Sequence, residues 1–249
     1  MRIGLLVEYD GTAYAGWQRQ KNALSIQQVL EECVEGLTGR TVGVVGSGRT
    51  DAGVHGFGQV AHFDDQSSIP PERFAYAMNS RLPQDIKIVR SGQVGPEFHA
   101  RFSAKRKTYR YAICNSLQGK AIGRQYFFHV PAKLDEGAMQ ETAALYLGKQ
   151  DFAAFMAQGS PVSSTVREVY ASRVWRAGED VFFEVCANGF LYNMVRIMAG
   201  TLIRAGLHKT GPSEVAAVLA GKARREAGFT APPQGLALLW VDYGYDIFL

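Results

Sequence analysis

Asp51 is the one carboxylate in the stretch Gly46-Ser47-Gly48-Arg49-Thr50-Asp51-Ala52-Gly53-Val54-His55-Gly56, and Arg49 and His55 stand on either side of it. A carboxylate in such a loop can attack an electrophile, take a proton, or simply cap a turn. Glycines at 46, 48, 53, 56 and 58 let the backbone turn and come close to a ligand. The loop lacks the Gly-Lys-Ser/Thr ending of a phosphate cradle, which disfavours nucleoside triphosphate hydrolysis. The histidines at 55, 62, 99, 129 and 208 show no helical ligand spacing, and Cys33, Cys114 and Cys186 form no C-x-x-C pair. Neither a metal nor a disulfide is therefore expected. No serine elbow or Cys/His pairing suggests acyl transfer.

Charge supplies the second clue. The net charge of +4 is modest, but from Phe98 to Leu134 there is no Asp or Glu. Arg101, Lys105, Arg106, Lys107, Arg110, Lys120, Arg124 and Lys133 lie in that window, and the rest of the chain holds 19 basic against 23 acidic residues. Segregation of this kind suits a polyanion, because each phosphate neutralised releases counterions; a solvated basic face with no partner is the plainer alternative. A second acid-free stretch, Val185 to Ser213, holds Arg196, Arg204 and Lys209.

The elements that must position these groups follow from periodicity. Ile3, Leu5, Val7 and Tyr9 alternate as in a half-buried strand that ends at Asp10-Gly11. Ser25 with Gln28 opens a helix whose apolar face is Ile26, Val29, Leu30, Cys33, Val34 and Leu37, and Gly39 closes it. A strand over Val42, Val44 and Val45, the Asp51 loop, and a strand through Val60, Ala61 and Phe63 come next. A helix from about Pro71 to Ser80 and a strand at Ile86 to Val89 complete a split β-α-β order on an antiparallel sheet.

The second half repeats the scheme with a different sequence. Strands are expected at Lys107–Cys114, Val166–Arg176, Val181–Ala187 and Leu236–Tyr243, and helices at Asp135–Leu147, Leu191–Leu207 and from Ser213. Tyr109, Tyr111 and Ile113 share one face of the first of these strands. The fold class is α+β: two ferredoxin-like or RRM-like halves with antiparallel sheets, residues 1–103 and 104–249, flanking a central basic cleft. The apolar run at the N-terminus is too short for a signal peptide and no segment is long enough to span a bilayer, so a soluble cytoplasmic protein is expected.

Gly48-Arg49-Thr50-Asp51-Ala52-Gly53-Val54-His55 resembles the signature of the TruA-type tRNA pseudouridine synthases. Companion segments stand in the family's order: Glu8-Tyr9-Asp10-Gly11-Thr12, Gly16-Trp17-Gln18, Gly58 to Phe63, Phe98 to Phe102, Lys107 to Tyr111, Phe190 to Arg196, and Pro233 to Leu236. Gly56 departs from the pattern, which more often has alanine there, and is expected to add flexibility. The resemblance implies a homodimer that isomerises uridine to pseudouridine at positions 38–40 of the tRNA anticodon stem-loop, with no cofactor and no membrane partner.

By the same resemblance Asp51 is the catalytic carboxylate, acting on sugar or base. Arg196 is the cation that pairs with it, and Tyr109 stacks on the target base and can take the C5 proton. Arg49 touches the RNA or fills the place of the flipped nucleotide. Arg101, Lys105, Arg106, Lys107 and Arg110 hold phosphates. Two other readings compete: a noncatalytic RNA-binding module, which would need no Asp51, and an RNA or nucleoside glycosidase, which would release free uracil.

Overall fold

The computed structural model describes residues 1–159, 162–221, 224 and 227–249. In chain order the elements are β1 (Arg2–Tyr9), α1 (Ile26–Thr38), β2 (Val45–Gly46), β3 (His55–Asp64), α2 (Phe74–Asn79), β4 (Ile86–Gln93), β5 (Arg106–Cys114), β6 (Phe128–His129), α3 (Glu136–Ala144), β7 (Gly148–Asp151), β8 (Val166–Ala177), β9 (Asp180–Ala187), α4 (Met194–Gly206), α5 (Pro212–Gly221) and β10 (Leu236–Asp242). They form two compact units: Met1–Lys107 with Ala237–Leu249, and Thr108–Leu236. The last thirteen residues group with the N-terminal part because Ala237 and Leu238 of β10 pair in parallel with His55 and Gly56 of β3.

In the first unit β1 lies between β3 and β4, antiparallel to both, and β2 pairs antiparallel with β3 through Val45↔His62 and Gly46↔Ala61. The order β4-β1-β3-β2 is that of a split β-α-β sheet. Ile3, Leu5, Val7 and Tyr9 point to one face, where Ile26, Leu30 and Val34 of α1 and Phe74 and Met78 of α2 cover them. Ser25 Oγ accepts the Gln28 N–H at 3.3 Å, and Gly39, at φ 69°, closes the helix. The opposite face is sealed by a smaller cluster of Val60, Val94, Phe98, Ala100, Tyr243 and Ile247. β3 is therefore largely buried on both sides. The expected strand over Val42 to Val45 shrinks to the two residues of β2.

In the second unit the strand order is β5-β9-β8-β7, and the two-residue turn between β8 and β9 has Gly178 at φ 61°. The succession β5-α3-β8-β9-α4 repeats the β-α-β-β-α part of the first unit, with β7 as an added edge strand. Its core is aromatic: Tyr146 meets Phe155 edge-on at 5.3 Å, and Tyr111, Phe152 and Phe183 are fully buried. Helix α4 begins three residues later than its apolar periodicity predicts, since Asn193 takes a left-handed φ of 59° just before it. Among the described residues no helix is long and apolar enough to cross a membrane.

Candidate active site

Asp51 is half-buried on the loop between β2 and β3, and hydrogen bonds tie that loop along its length. Its entry is tied at Ser47, whose N–H donates to Val60 O at 2.7 Å and whose hydroxyl lies 2.5 Å from Gln59 Oε1. Gln59 Nε2 donates in turn to Gly48 O at 3.0 Å. In the middle, Thr50 Oγ1 meets the Tyr9 hydroxyl at 2.9 Å, and Thr50 O accepts the Trp17 N–H at 3.1 Å. Tyr9 is buried, which pushes its phenol well above the usual range and keeps the hydroxyl protonated at any ordinary pH. Beyond Asp51, Val54 N–H closes a turn on Asp51 O, Gly53 N–H reaches Tyr14 O, and Gly11 N–H donates to His55 Nδ1, all at 3.1–3.2 Å.

Of the loop's glycines only Gly53 takes a positive φ, 78°. Gly56 sits inside β3 opposite Tyr9, where a Cβ would lie 2.6 Å from the Tyr9 ring. Gly56 thus makes room for the residue that holds Thr50, and the expectation that it adds flexibility is corrected. A carboxylate fixed this way has its approach set before any ligand arrives.

The basic residues separate into two kinds. Arg49, Arg101, Lys105 and Arg106 are exposed, and Arg49 Nε donates to Gln18 Oε1 at 3.1 Å. Lys107 is sunk. Its Nζ donates to Ser47 O at 2.6 Å, at the entry of the Asp51 loop, and burial, with Arg101 nearby, lowers its pKa to about 8. A lysine so engaged holds protein backbone, a role that its place in the basic window does not signal.

In the second unit Tyr109 is buried on β5 and meets Phe190 edge-on, ring centroids 5.2 Å apart. Tyr111, two residues on, is fully buried and donates to Pro232 O at 2.7 Å. Arg196 lies half-buried in the first turn of α4. Its Nη1 donates to Asn193 Oδ1 at 2.9 Å and its Nε to Ala231 O at 2.8 Å, while its carbonyl accepts the Ala231 N–H. The left-handed Asn193 therefore sets both the start of the helix and the plane of the guanidinium. Arg110 carries an ion pair: its Nη2 lies 2.8 Å from Glu184 Oε2 and its guanidinium 5.3 Å from the centre of the Trp175 ring. That pairing spends part of the Arg110 charge within the protein.

Sequence reasoning named the loop but not what ties it. Tyr9, Gly16, Trp17 and Gln59 all belong to the companion segments, so their spacing was visible while their roles were not. Lys107 was legible in principle: it falls on the same strand face as Tyr109, Tyr111 and Ile113. Among the described residues no group of three His, Cys, Asp or Glu is placed to hold a metal ion.

The family model described as tRNA pseudouridine synthase matches residues 5–103 and 142–244. The chain belongs to the tRNA pseudouridine synthase family. Curated relatives named tRNA pseudouridine synthase A agree. One from Ruminiclostridium cellulolyticum is 50% identical over 97% of this chain and 99% of its own length. Relatives from Acetivibrio thermocellus and a Thermoanaerobacter species are each 46% identical, again over 97% of this chain and 99% of theirs. A solved H/ACA ribonucleoprotein bound to a substrate RNA containing 2'-deoxyuridine aligns with 94% of this chain and 46% of its own at 12% identity and a TM-score of 0.38, too distant to add weight. The family-model match reaches into both compact units and includes the Asp51 loop but not residues 104–141, and the relatives' alignments cover nearly the whole chain.

Proposed function

We propose that this pseudouridine synthase isomerises uridine at positions 38–40 of the tRNA anticodon stem-loop, with Asp51 as the nucleophile. The observation that carries the residue assignment is the Asp51 loop, whose backbone and side chains are tied at both ends and in the middle. The reaction breaks the C1′–N1 bond, turns the uracil and forms C1′–C5; the C5 proton leaves and N1 takes one up, so the composition of the RNA does not change. No oxidant or energy source enters that balance. A fixed carboxylate suits it, because the sugar must be held while the base is loose.

Arg196 acts as the cation partner of the carboxylate, in keeping with its fixed guanidinium plane. Tyr109 offers its ring to the flipped base, and its hydroxyl takes part in removing the C5 proton. The unit of Met1–Lys107 with Ala237–Leu249 carries the catalytic loop, and the unit of Thr108–Leu236 carries the tyrosine and the arginine. Arg49, Arg101, Lys105 and Arg106 contact the RNA. The enzyme works as a cytoplasmic homodimer, a reading that rests on the family resemblance.

The test is tritium release from an unmodified tRNA transcript labelled at uracil C5. Wild type should release tritium and Asp51→Ala should not, while tRNA binding persists. Undiminished release from Asp51→Ala would overturn the assignment. Free uracil among the products would mark a glycosidase instead, and binding without any release by wild type would leave only an RNA-binding module. Tyr109→Phe separates its two roles, since the ring remains and only the hydroxyl is lost.

A further inference from the structure

Phe102 is 76% exposed, yet the turn that carries it is held by a set of hydrogen bonds. Ser103 N–H donates to His99 O at 2.9 Å and Ser103 Oγ accepts the His99 N–H at 3.0 Å. His99 Nδ1 accepts from Arg101 N–H and Phe102 N–H at 3.2 and 3.3 Å. Ala100, in the middle, is fully buried: its N–H donates to His62 Nδ1 at 3.2 Å and its O accepts the Tyr243 hydroxyl at 2.7 Å. A large apolar ring fixed in solvent forgoes about 1.5–3 kcal/mol of burial free energy.

The ring is also part of a series. His62 meets His99 at 5.1 Å, His99 lies 4.3 Å from Phe102 with its plane tilted by only 33°, and the Arg101 guanidinium stands 5.6 Å from the centre of the Phe102 ring. Arg101, Lys105 and Arg106 are exposed within four residues of it, and no Asp or Glu lies between Phe98 and Leu134 in the sequence.

We infer that Phe102 is a stacking platform for one unpaired nucleobase of the substrate RNA, with Arg101, Lys105 and Arg106 taking the flanking phosphates. This deepens the proposed function and rests on it for the identity of the RNA. Every nucleobase has a π-face, so such a platform selects a splayed-out base without reading its sequence. The charge argues against a second copy of the chain as occupant: a symmetric contact would bring the same three cations face to face.

The experiment compares Phe102→Ala, Phe102→Leu and Phe102→Trp with wild type, reading Kd for an unmodified tRNA transcript at fixed salt and Tm of the free protein. Phe102→Ala should weaken binding about 5- to 150-fold, the span set by loss of one base–aromatic stack. Phe102→Leu should resemble it, being apolar without a π-face. Phe102→Trp should bind as wild type does, and its added indole fluorescence should be quenched by RNA. Tm should stay near wild type in all three. Binding by Phe102→Ala within twofold of wild type, full rescue by leucine, or a change in oligomeric state in place of RNA affinity would each overturn the inference. Loss of RNA affinity in Phe102→Ala, with no tritium release by wild type, would uphold the platform while rejecting the proposed reaction.

Discussion

Replacing Lys107 with methionine should slow the reaction while leaving the fold as stable as before. Two effects of opposite sign meet at this residue. The Nζ bond to Ser47 O, 2.6 Å long, helps to fix the entry of the Asp51 loop, and leaving that carbonyl without its donor costs about 1–3 kcal/mol. Burial, however, lowers the ammonium pKa from its ordinary 10.5 to about 8. Between pH 8 and 10.5 the unfolded chain binds the proton and the folded chain does not, so this group makes stability rise with pH across that window; below pH 8 the full penalty applies. At 1.36 kcal/mol per pH unit, the penalty removed by methionine is about 3 kcal/mol, comparable to the lost bond. Tm at pH 7 should therefore move little. The loop, in contrast, loses its tie locally, and a carboxylate displaced by about 1 Å can lose about 100-fold in rate. Single-turnover tritium release should show kcat falling by tens of fold with KM within twofold of wild type. If KM rose instead, with kcat intact, Lys107 would be a phosphate contact after all and the loop-anchoring argument would fail.

Gly56→Ala places a methyl 2.6 Å from the Tyr9 ring, and overpacking of this kind costs about 1–3 kcal/mol, so calorimetry should show Tm lower by several degrees. Gly16→Ala should be worse, because Gly16 has φ 86° and a Cβ there would lie 2.3 Å from Thr50 O; an unchanged Tm in either variant would show that the loop has slack. His62 is held down to a pKa of about 4 by burial, with Arg2 and His99 acting in the same sense and Asp64 opposing. The unfolded chain alone takes up that proton between about pH 6.5 and 4, so stability should fall as pH drops through the window, and His62→Gln should flatten the fall in a denaturation series. Lys105→Ala with Arg106→Ala should lower the slope of log affinity against log salt by about 0.7–0.9 for each phosphate that is no longer neutralised. Arg110→Ala, paired as Arg110 is with Glu184, should leave that slope alone in the same titration.

Local chemistry made much of the fold readable. Ser25 and Gly39 bound α1, the alternation of Ile3 to Tyr9 marks β1, and the hairpin of β8 and β9 follows from its apolar periodicity. What escaped lacked a local signal. The edge strand β7 is Gly-Lys-Gln-Asp, with no alternation to betray it. β10 lies far along the chain from the residues of β3 it pairs with, so its place in the first unit depends on tertiary contact. The start of α4 depends on the left-handed Asn193, which apolar spacing does not register. At the site, Asp51 was legible from its neighbours in sequence. Its ties come from Tyr9, Trp17, Gln59 and Lys107, and no window of the sequence contains them all.

That division has a functional consequence. Within the first unit the polar groups around the Asp51 loop are turned inward and spent on backbone carbonyls and hydroxyls, as with Tyr9, Gln59 and Lys107. Arg49, Arg101, Phe102, Lys105 and Arg106 are exposed instead. On the proposed function, geometry for the chemical step and affinity for the polyanion would be supplied by different side chains. A loop fixed during folding needs no reordering when RNA binds, so substrate binding energy is not drawn down to shape the carboxylate, and the strain of extracting a base can be met by the exposed contacts. Substitutions in the inward set should therefore act on kcat and those in the outward set on KM and the salt slope. A variant of the outward set that slowed single-turnover chemistry at saturating RNA would show that the two functions share residues.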